Sequence, residues 1–285
     1  MYKGTARGRK WQGVIETILL YASLTAGAVI MMVPLLYMIS TALKGQVYVF
    51  ETPPRFIPEH PTMSNFVQAW ASNNFALYFR NSSVVAIATT LGSTLLSAML
   101  AYAFARFEFP GKALTFYLLL FTLMIPSLML IIPQFLLAKA LGLRNSLWGL
   151  VFVYVAMTIP LNTFLLRGFF EQLPGDLEEA VLIDGGGYGT TFFRIILPLS
   201  KPALATVALF TFLFGWDEFT WALTAIDVEA KRTLPIAIAA FHGAHLTQWG
   251  LVFAASLIAM IPTVLLYIAL QRYFVRGLTA GAIKG

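Results

Sequence analysis

The sequence predicts an all-α polytopic membrane protein with six transmembrane helices. Two observations predict it. Of the 285 residues, 59% are hydrophobic and only 11% charged, against about 25% charged in an ordinary globular domain, so most of the surface must face something other than water. The apolar residues also gather into six runs, each long enough to cross a hydrocarbon core of about 30 Å at about 1.5 Å per helical residue. A backbone in lipid has to satisfy its polar groups within its own segment, which selects helices.

The six runs extend from Val14 to Leu43, Asn81 to Ala105, Leu114 to Ala138, Leu147 to Phe170, Ala203 to Ile226 and Trp249 to Val275. The first follows Arg7, Arg9 and Lys10, and Ala26-Gly27-Ala28 imitates a cleavage site, but the run continues to Leu43, too far for a signal peptide. It is read as a retained helix. Pro126 and Pro133 predict a bent third span, and Pro160 interrupts the hydrogen-bond ladder of the fourth. Ser93 and Ser97 in the second form a small-residue packing seam. Trp11, Trp148, Trp249 and Tyr273 fall near span ends, where amphipathic rings favour the headgroup region.

Orientation follows from Lys and Arg, which accumulate on the cytoplasmic side. With the N-terminus inside, the inner segments hold twelve of the 19 basic residues and the outer ones seven, over comparable total length. Both termini are therefore placed in the cytoplasm. The whole chain, 1–285, reads as one membrane domain. It has a cytoplasmic N-terminus (1–13), external loops (44–80 and 227–248), a cytoplasmic insert (171–201) and a cytoplasmic tail (276–285). The formal charge of +6 does not indicate nucleic acid, because the basic residues are scattered among apolar spans and not packed into a stripe. The absence of cysteine excludes disulfides and thiolate metal sites.

The insert is the polar interruption in an apolar chain. Pro174, Asp176, Glu178 and Glu179 suit a helix start, and Gly185 to Gly187 a stop, which predicts a short helix from about Gly175 to Asp184. A second helix is expected to begin at Thr190 or Thr191 as its cap, to carry Phe192, Phe193 and Ile196, and to end at Pro198. Carboxylates beside small and aliphatic side chains on a short surface helix suit insertion into a groove of another protein. A solvated connector would use the same residue types.

The run Glu179-Ala180-Val181-Leu182-Ile183-Asp184-Gly185, followed by Phe193, Ile195 and Leu197-Pro198, resembles the EAA motif of ABC importer permeases. It departs from that motif at Val181 and Gly186, where alanine is usual. The likeness extends over most of the chain. Pro53-Pro54, Trp216-Asp217-Glu218-Phe219, Trp249-Gly250, Ala254-Ala255-Ser256, Ile261-Pro262, Gln271-Arg272-Tyr273-Phe274 and the ending from Gly277 to Gly285 resemble the second permease subunit of maltose-type carbohydrate importers. In that family Asn is commoner than Asp at position 217.

The resemblance implies a type I ABC importer fold and a coupling helix that docks into a cleft on a cytoplasmic ATPase subunit. Glu178, Glu179, Ala180, Asp184 and Gly185 would make that coupling surface, with Gly281 and Lys284 of the tail as a second contact. The implied assembly is this chain, a homologous permease subunit, two ATPase subunits and an extracytoplasmic solute-binding protein in a bacterial or archaeal cell (inner) membrane, importing a sugar or oligosaccharide. The chain is expected to bind no cofactor. It has no G-x-x-x-x-G-K-[ST] string, and ATP and Mg would be bound by the partner ATPase subunits.

Intramembrane polar residues are the clue to a path, because placing them against lipid is expensive. Asp217 and Glu218 lead, with Trp216 and Trp221 beside them. Adjacent helix positions diverge by about 100°, so the two acids cannot face one cavity equally, and a helix end with one acid in water is the competing reading. Asn162, with Thr163, is either a path residue or a helix-packing residue. His242 and His245 stand at i, i+3 in an outer loop without further ligands for a metal. Two functional alternatives remain: import of a glycerol phosphate or related polyol by the same mechanism, and an ion-coupled secondary transporter. The latter would want midplane acids and an internal repeat. A membrane-embedded hydrolase or transferase is disfavoured, since no catalytic constellation occurs at a recognisable spacing.

Overall fold

The computed structural model of the chain describes residues 6–45, 47, 50, 53–72, 74–241 and 247–282, and no β-strand forms among them. The helices are α1 (Ala6–Leu43), α2 (Ser64–Ala71), α3 (Phe75–Arg106), α4 (Lys112–Phe121), α5 (Ile131–Ala140), α6 (Leu147–Phe170), α7 (Asp176–Ile183), α8 (Tyr188–Thr191), α9 (Leu197–Leu199), α10 (Lys201–Asp217), α11 (Thr220–Ala225), α12 (Leu234–Ala239) and α13 (Trp249–Ala282). Among the described residues four helices are long and apolar enough to cross a membrane by themselves, and the total is six where each of two bent pairs counts as one span.

The bent pairs revise the third and fifth expected spans. In the third, α4 and α5 meet at 97°, far more than a kink. Pro126 forces Ile125 into extended backbone (ψ 119°) because its ring disfavours a helical predecessor. Pro133 lies in the first turn of α5, where a missing N–H costs nothing, so Pro126 alone makes the break. In the fifth, the helix does not continue to Ile226. It stops at Asp217, and Glu218 is extended (ψ 120°) before α11 begins. The segment Tyr188–Leu199 then joins α10 at 79°.

Contacts divide the chain into two compact units, one within residues 1–69 and 241–258, the other within 70–240 and 259–285. In the first, the Asn65 amide donates to the carbonyls of Ala42 and Lys44, closing the C-terminal end of α1, whose last carbonyls have no intrahelical donor. Trp249 N–H donates to the Val47 carbonyl, and the Trp249 ring lies 4.8 Å from that of Phe50.

The second unit is built on α3, α6 and α10. Gly215 of α10 lets α3 approach closely, since a Cβ there would sit 3.4 Å from the Ala86 Cα, the small-residue packing that membranes favour. At one end Val85, Leu150, Val151, Tyr154, Trp221, Ala222, Ala225 and Ile236 form an apolar cluster. At the other end Ala98, Ala101, Tyr102, Leu166, Phe170, Phe192, Ile196 and Val207 form a second. Four polar residues between the clusters are paired across helices. Ser93 and Thr158 share a hydrogen bond of 2.7 Å, and the Asn162 amide donates to Ser93 Oγ at 2.9 Å and Thr211 Oγ1 at 2.8 Å.

Candidate coupling surface

The polar insert sits at the Arg106 end of α3. The helix α7 starts after Gly175 with Asp176, Glu178 and Glu179 in its first turn, where carboxylates complement the positive end of the macrodipole. It stops in a glycine cap: Gly185 takes φ +80°, Gly185 N–H donates to Leu182 and Gly186 N–H to Val181. Those two bonds satisfy orphan carbonyls at the helix end. The next position explains both departures from the motif. A Cβ on Gly186 would lie 2.5 Å from Val181 Cγ1 and 3.0 Å from the Val181 carbonyl oxygen, so the valine at 181 adds to a backbone crowding that favours the smallest residue at 186.

One side of the insert is anchored and the other is bare. Phe192 and Ile196 are buried in the apolar cluster of the spans. No residue of α7 is fully buried. Glu179, Ala180 and Asp184 are exposed, and Leu182 and Ile183 beside them are 48% and 85% exposed. Two apolar side chains held out on an acidic helix suit a docking surface.

Glu178 differs from its neighbours. Its Oε1 lies 2.6 Å from Arg106 Nε, with side chains 15% and 16% exposed, and Tyr102 OH reaches its Oε2 at 3.5 Å. It therefore faces the end of α3, where its carboxylate is held by an internal cation, unlike the exposed Glu179. The second helix of the insert departs from expectation. It begins at Tyr188 after Gly187, not at a threonine cap, and Thr191 Oγ1 donates back to the Gly187 carbonyl. Pro198 does not end it. A π-helical turn at Phe192–Ile196 precedes Pro198, and α9 runs on to Leu199. Widening the preceding turn makes room for a ring that cannot donate.

At the other end of α10 the two acids separate. Asp217 is exposed, whereas Glu218 turns inward: Trp221 N–H and Ala222 N–H donate to its oxygens at 2.7 and 3.0 Å, and Tyr154 OH donates to Oε2. Glu218 thereby caps α11 from within the apolar cluster. Trp216 is buried, its indole donating to the Ala259 carbonyl at 3.0 Å, and Trp221 is buried as well. Asn162 is buried as the bridge between α3, α6 and α10, and Thr163 is buried beside it. Of the expected path residues, Asp217 alone is exposed. Gly281 falls in α13, and Lys284, His242 and His245 lie outside the described residues.

Sequence reasoning missed what holds the loop after α11. Asn145, in left-handed conformation (φ 53°), accepts from the N–H groups of Asp227 and Val228. Arg144 pairs with Asp227. The Asn81 amide donates to the Ala230 and Arg232 carbonyls, and Ser82 Oγ accepts from Leu234 N–H. An asparagine after Leu141-Gly142-Leu143-Arg144 was a legible turn signal. Its partners, more than 80 residues on, were not.

The profile of a family described as the inner membrane component of binding-protein-dependent transport systems matches residues 93–280. The trehalose/maltose transport system permease of Thermococcus litoralis is 38% identical over 275 residues, covering 95% of this chain and 98% of that protein. The galactooligosaccharides transport system permease of Bacillus subtilis is 36% identical, covering 95% and 96%. The trehalose transport system permease of Mycobacterium tuberculosis is 34% identical, covering 99% and 100%. Among solved structures, a chain from a bacterial ABC transporter involved in the import of the acidic polysaccharide alginate superposes with a TM-score of 0.78 at 23% identity, covering 96% of this chain and 100% of that one.

Proposed function

The chain belongs to the family of inner membrane components of binding-protein-dependent transport systems, and from that premise we propose that it forms half of the translocation path of an ATP-driven importer for a sugar or oligosaccharide. The carbohydrate class is carried over from the trehalose, maltose and galactooligosaccharide permeases to which the chain is similar. The other half of the path is a homologous permease, the ligand is delivered by an external binding protein, and two ATPase subunits bind ATP and Mg. This chain binds no cofactor of its own. Both termini and α7 lie on the cytoplasmic side. The C-terminal tail, with Gly281 and Lys284, is a second ATPase contact.

The observation that carries the ATPase role is the face of α7, where Glu179, Ala180, Ile183 and Asp184 stand exposed on a helix whose Glu178 is turned the other way, to Arg106. Ala180 lets a cleft wall close against the helix backbone, and Ile183 gives the contact an apolar centre with an acidic rim. When the ATPase dimer closes on ATP, the gripped helix moves, and the spans rock from inward-facing to outward-facing. Asp217, exposed where α10 breaks, is the acid available to a ligand in the path.

Copurification of the assembly with its binding protein, followed by identification of the bound ligand, tests the substrate class; a ligand without a sugar moiety, such as a polyol phosphate, would replace it. Glu179→Lys is expected to abolish the ATPase activity stimulated by the loaded binding protein while leaving membrane insertion intact. Unchanged stimulation in that variant rejects the docking role. Uptake driven by an ion gradient in the absence of ATP rejects the importer reading as a whole.

A further inference from the structure

Resting on the reading that α7 is gripped by an ATPase subunit, we propose that Arg106 and Glu178 are the joint that carries movement of α7 into α3, both acting as positioning residues that touch neither ATPase nor substrate. The chain's own connections to α7 are poor transmitters. It is entered through Pro174-Gly175 and left through Gly185-Gly186-Gly187, and with no fully buried residue it has no apolar side locked into the spans. A push on its outer face would be absorbed in those turns unless something else held it.

The last two turns of α3 supply the hold. Arg106 Nε lies 2.6 Å from Glu178 Oε1, Arg106 Nη2 donates to the Leu173 carbonyl at 2.7 Å, and Tyr102 OH reaches Glu178 Oε2 at 3.5 Å. One guanidinium thus engages both the first turn of α7, by an ion pair, and the residue before its entry, by a hydrogen bond to a backbone carbonyl. With 15% and 16% of the two side chains exposed, the attraction is less screened by salt than a surface pair would be. The movement need not stop at α3. Ser93 of α3 is bonded to Thr158 and Asn162 of α6, and Asn162 to Thr211 of α10, so the three spans move as one body.

The test reconstitutes the assembly in vesicles and measures ATP hydrolysis with and without the binding protein, purified with its endogenous ligand. Glu178→Gln keeps the shape of the side chain and removes the charge. Stimulation by the binding protein is expected to fall at least fivefold, with basal hydrolysis and retention of the ATPase subunits on the membrane unchanged. A merely structural role would lower basal and stimulated rates together, and that result, or full stimulation in the variant, overturns the proposal. The chain has no cysteine, which permits a second arm: Arg106→Cys with Glu178→Cys, reduced and then bridged by a short dithiol-reactive linker. Bridging is expected to restore stimulation that the reduced form lacks; an assembled, bridged form that stays unstimulated counts equally against the joint. If the unmodified assembly shows no stimulation at all, the importer reading fails and not the joint alone.

Discussion

The chain carries two pairs of adjacent acids, Glu178-Glu179 at the insert and Asp217-Glu218 at the break after α10, and each pair divides its labour in the same way. One acid is taken up by the protein and its neighbour is left to the outside. The difference lies in the partner that does the taking. Glu178 meets a full positive charge on another helix, so its bond joins two elements that could otherwise move independently. Glu218 meets dipoles, two of them N–H groups of the helix it precedes, so it mainly fixes a turn. In α7 consecutive helix positions point about 100° apart, which divides Glu178 from Glu179; at the end of α10 it is the extended backbone of Glu218 that turns one acid inward and leaves Asp217 outside. A doubled acid in a membrane chain reads as a support and a contact, not as two contacts.

Substitutions can break that comparison, and the largest effect belongs to the internal member with the charged partner. Glu178→Ala leaves Arg106 unpaired and largely covered, at a cost of about 2–3 kcal/mol, while Glu179→Ala leaves the unfolding midpoint where it was. Thermal unfolding in nanodiscs measures both, and equal shifts would erase the distinction. A smaller loss is expected at Gly186→Ala, about 1–2 kcal/mol from overpacking against Val181. Combining it with Val181→Ala should recover part of that loss in a double-mutant cycle, because the two side chains share one space. Smallest is Glu218→Gln, which keeps one acceptor for the cap and the Tyr154 hydroxyl, at about 1 kcal/mol. Asp217→Asn should change stability less than Glu218→Gln does; the reverse order would mean that the exposed acid of this pair is the supporting one.

Much of this was legible beforehand, and for identifiable reasons. The insert helix was found because acids, small residues and a glycine run are local signals, and the structure shifts its ends by a residue. The bend of the third span was legible at Pro126 but not its size, since a proline specifies a lost hydrogen bond and a restricted neighbour, not the angle its surroundings allow. The fifth span was overextended because Phe219 to Ile226 is as apolar as the helix before it. What stops α10 is the inward turn of Glu218 to Tyr154, 64 residues away. Rules for isolated helices fail at Pro198, which a π-helical turn accommodates, and at Thr191, which is no cap because α8 already begins at Tyr188.

Sequence by itself determined what depends on composition and on near neighbours: that the chain lives in a bilayer, how many times it meets it, where it turns polar, and the family it belongs to. Tertiary structure alone decided which of two adjacent acids is spent inside, that Asn162 bridges three helices, and that Arg106 holds the insert to α3. Hydropathy and propensity are summed over a few residues along the chain. Ion pairs and hydrogen bonds are set by distances of about 3 Å between groups that the sequence separates by 49 to 72 positions, and no pattern along the chain encodes those distances.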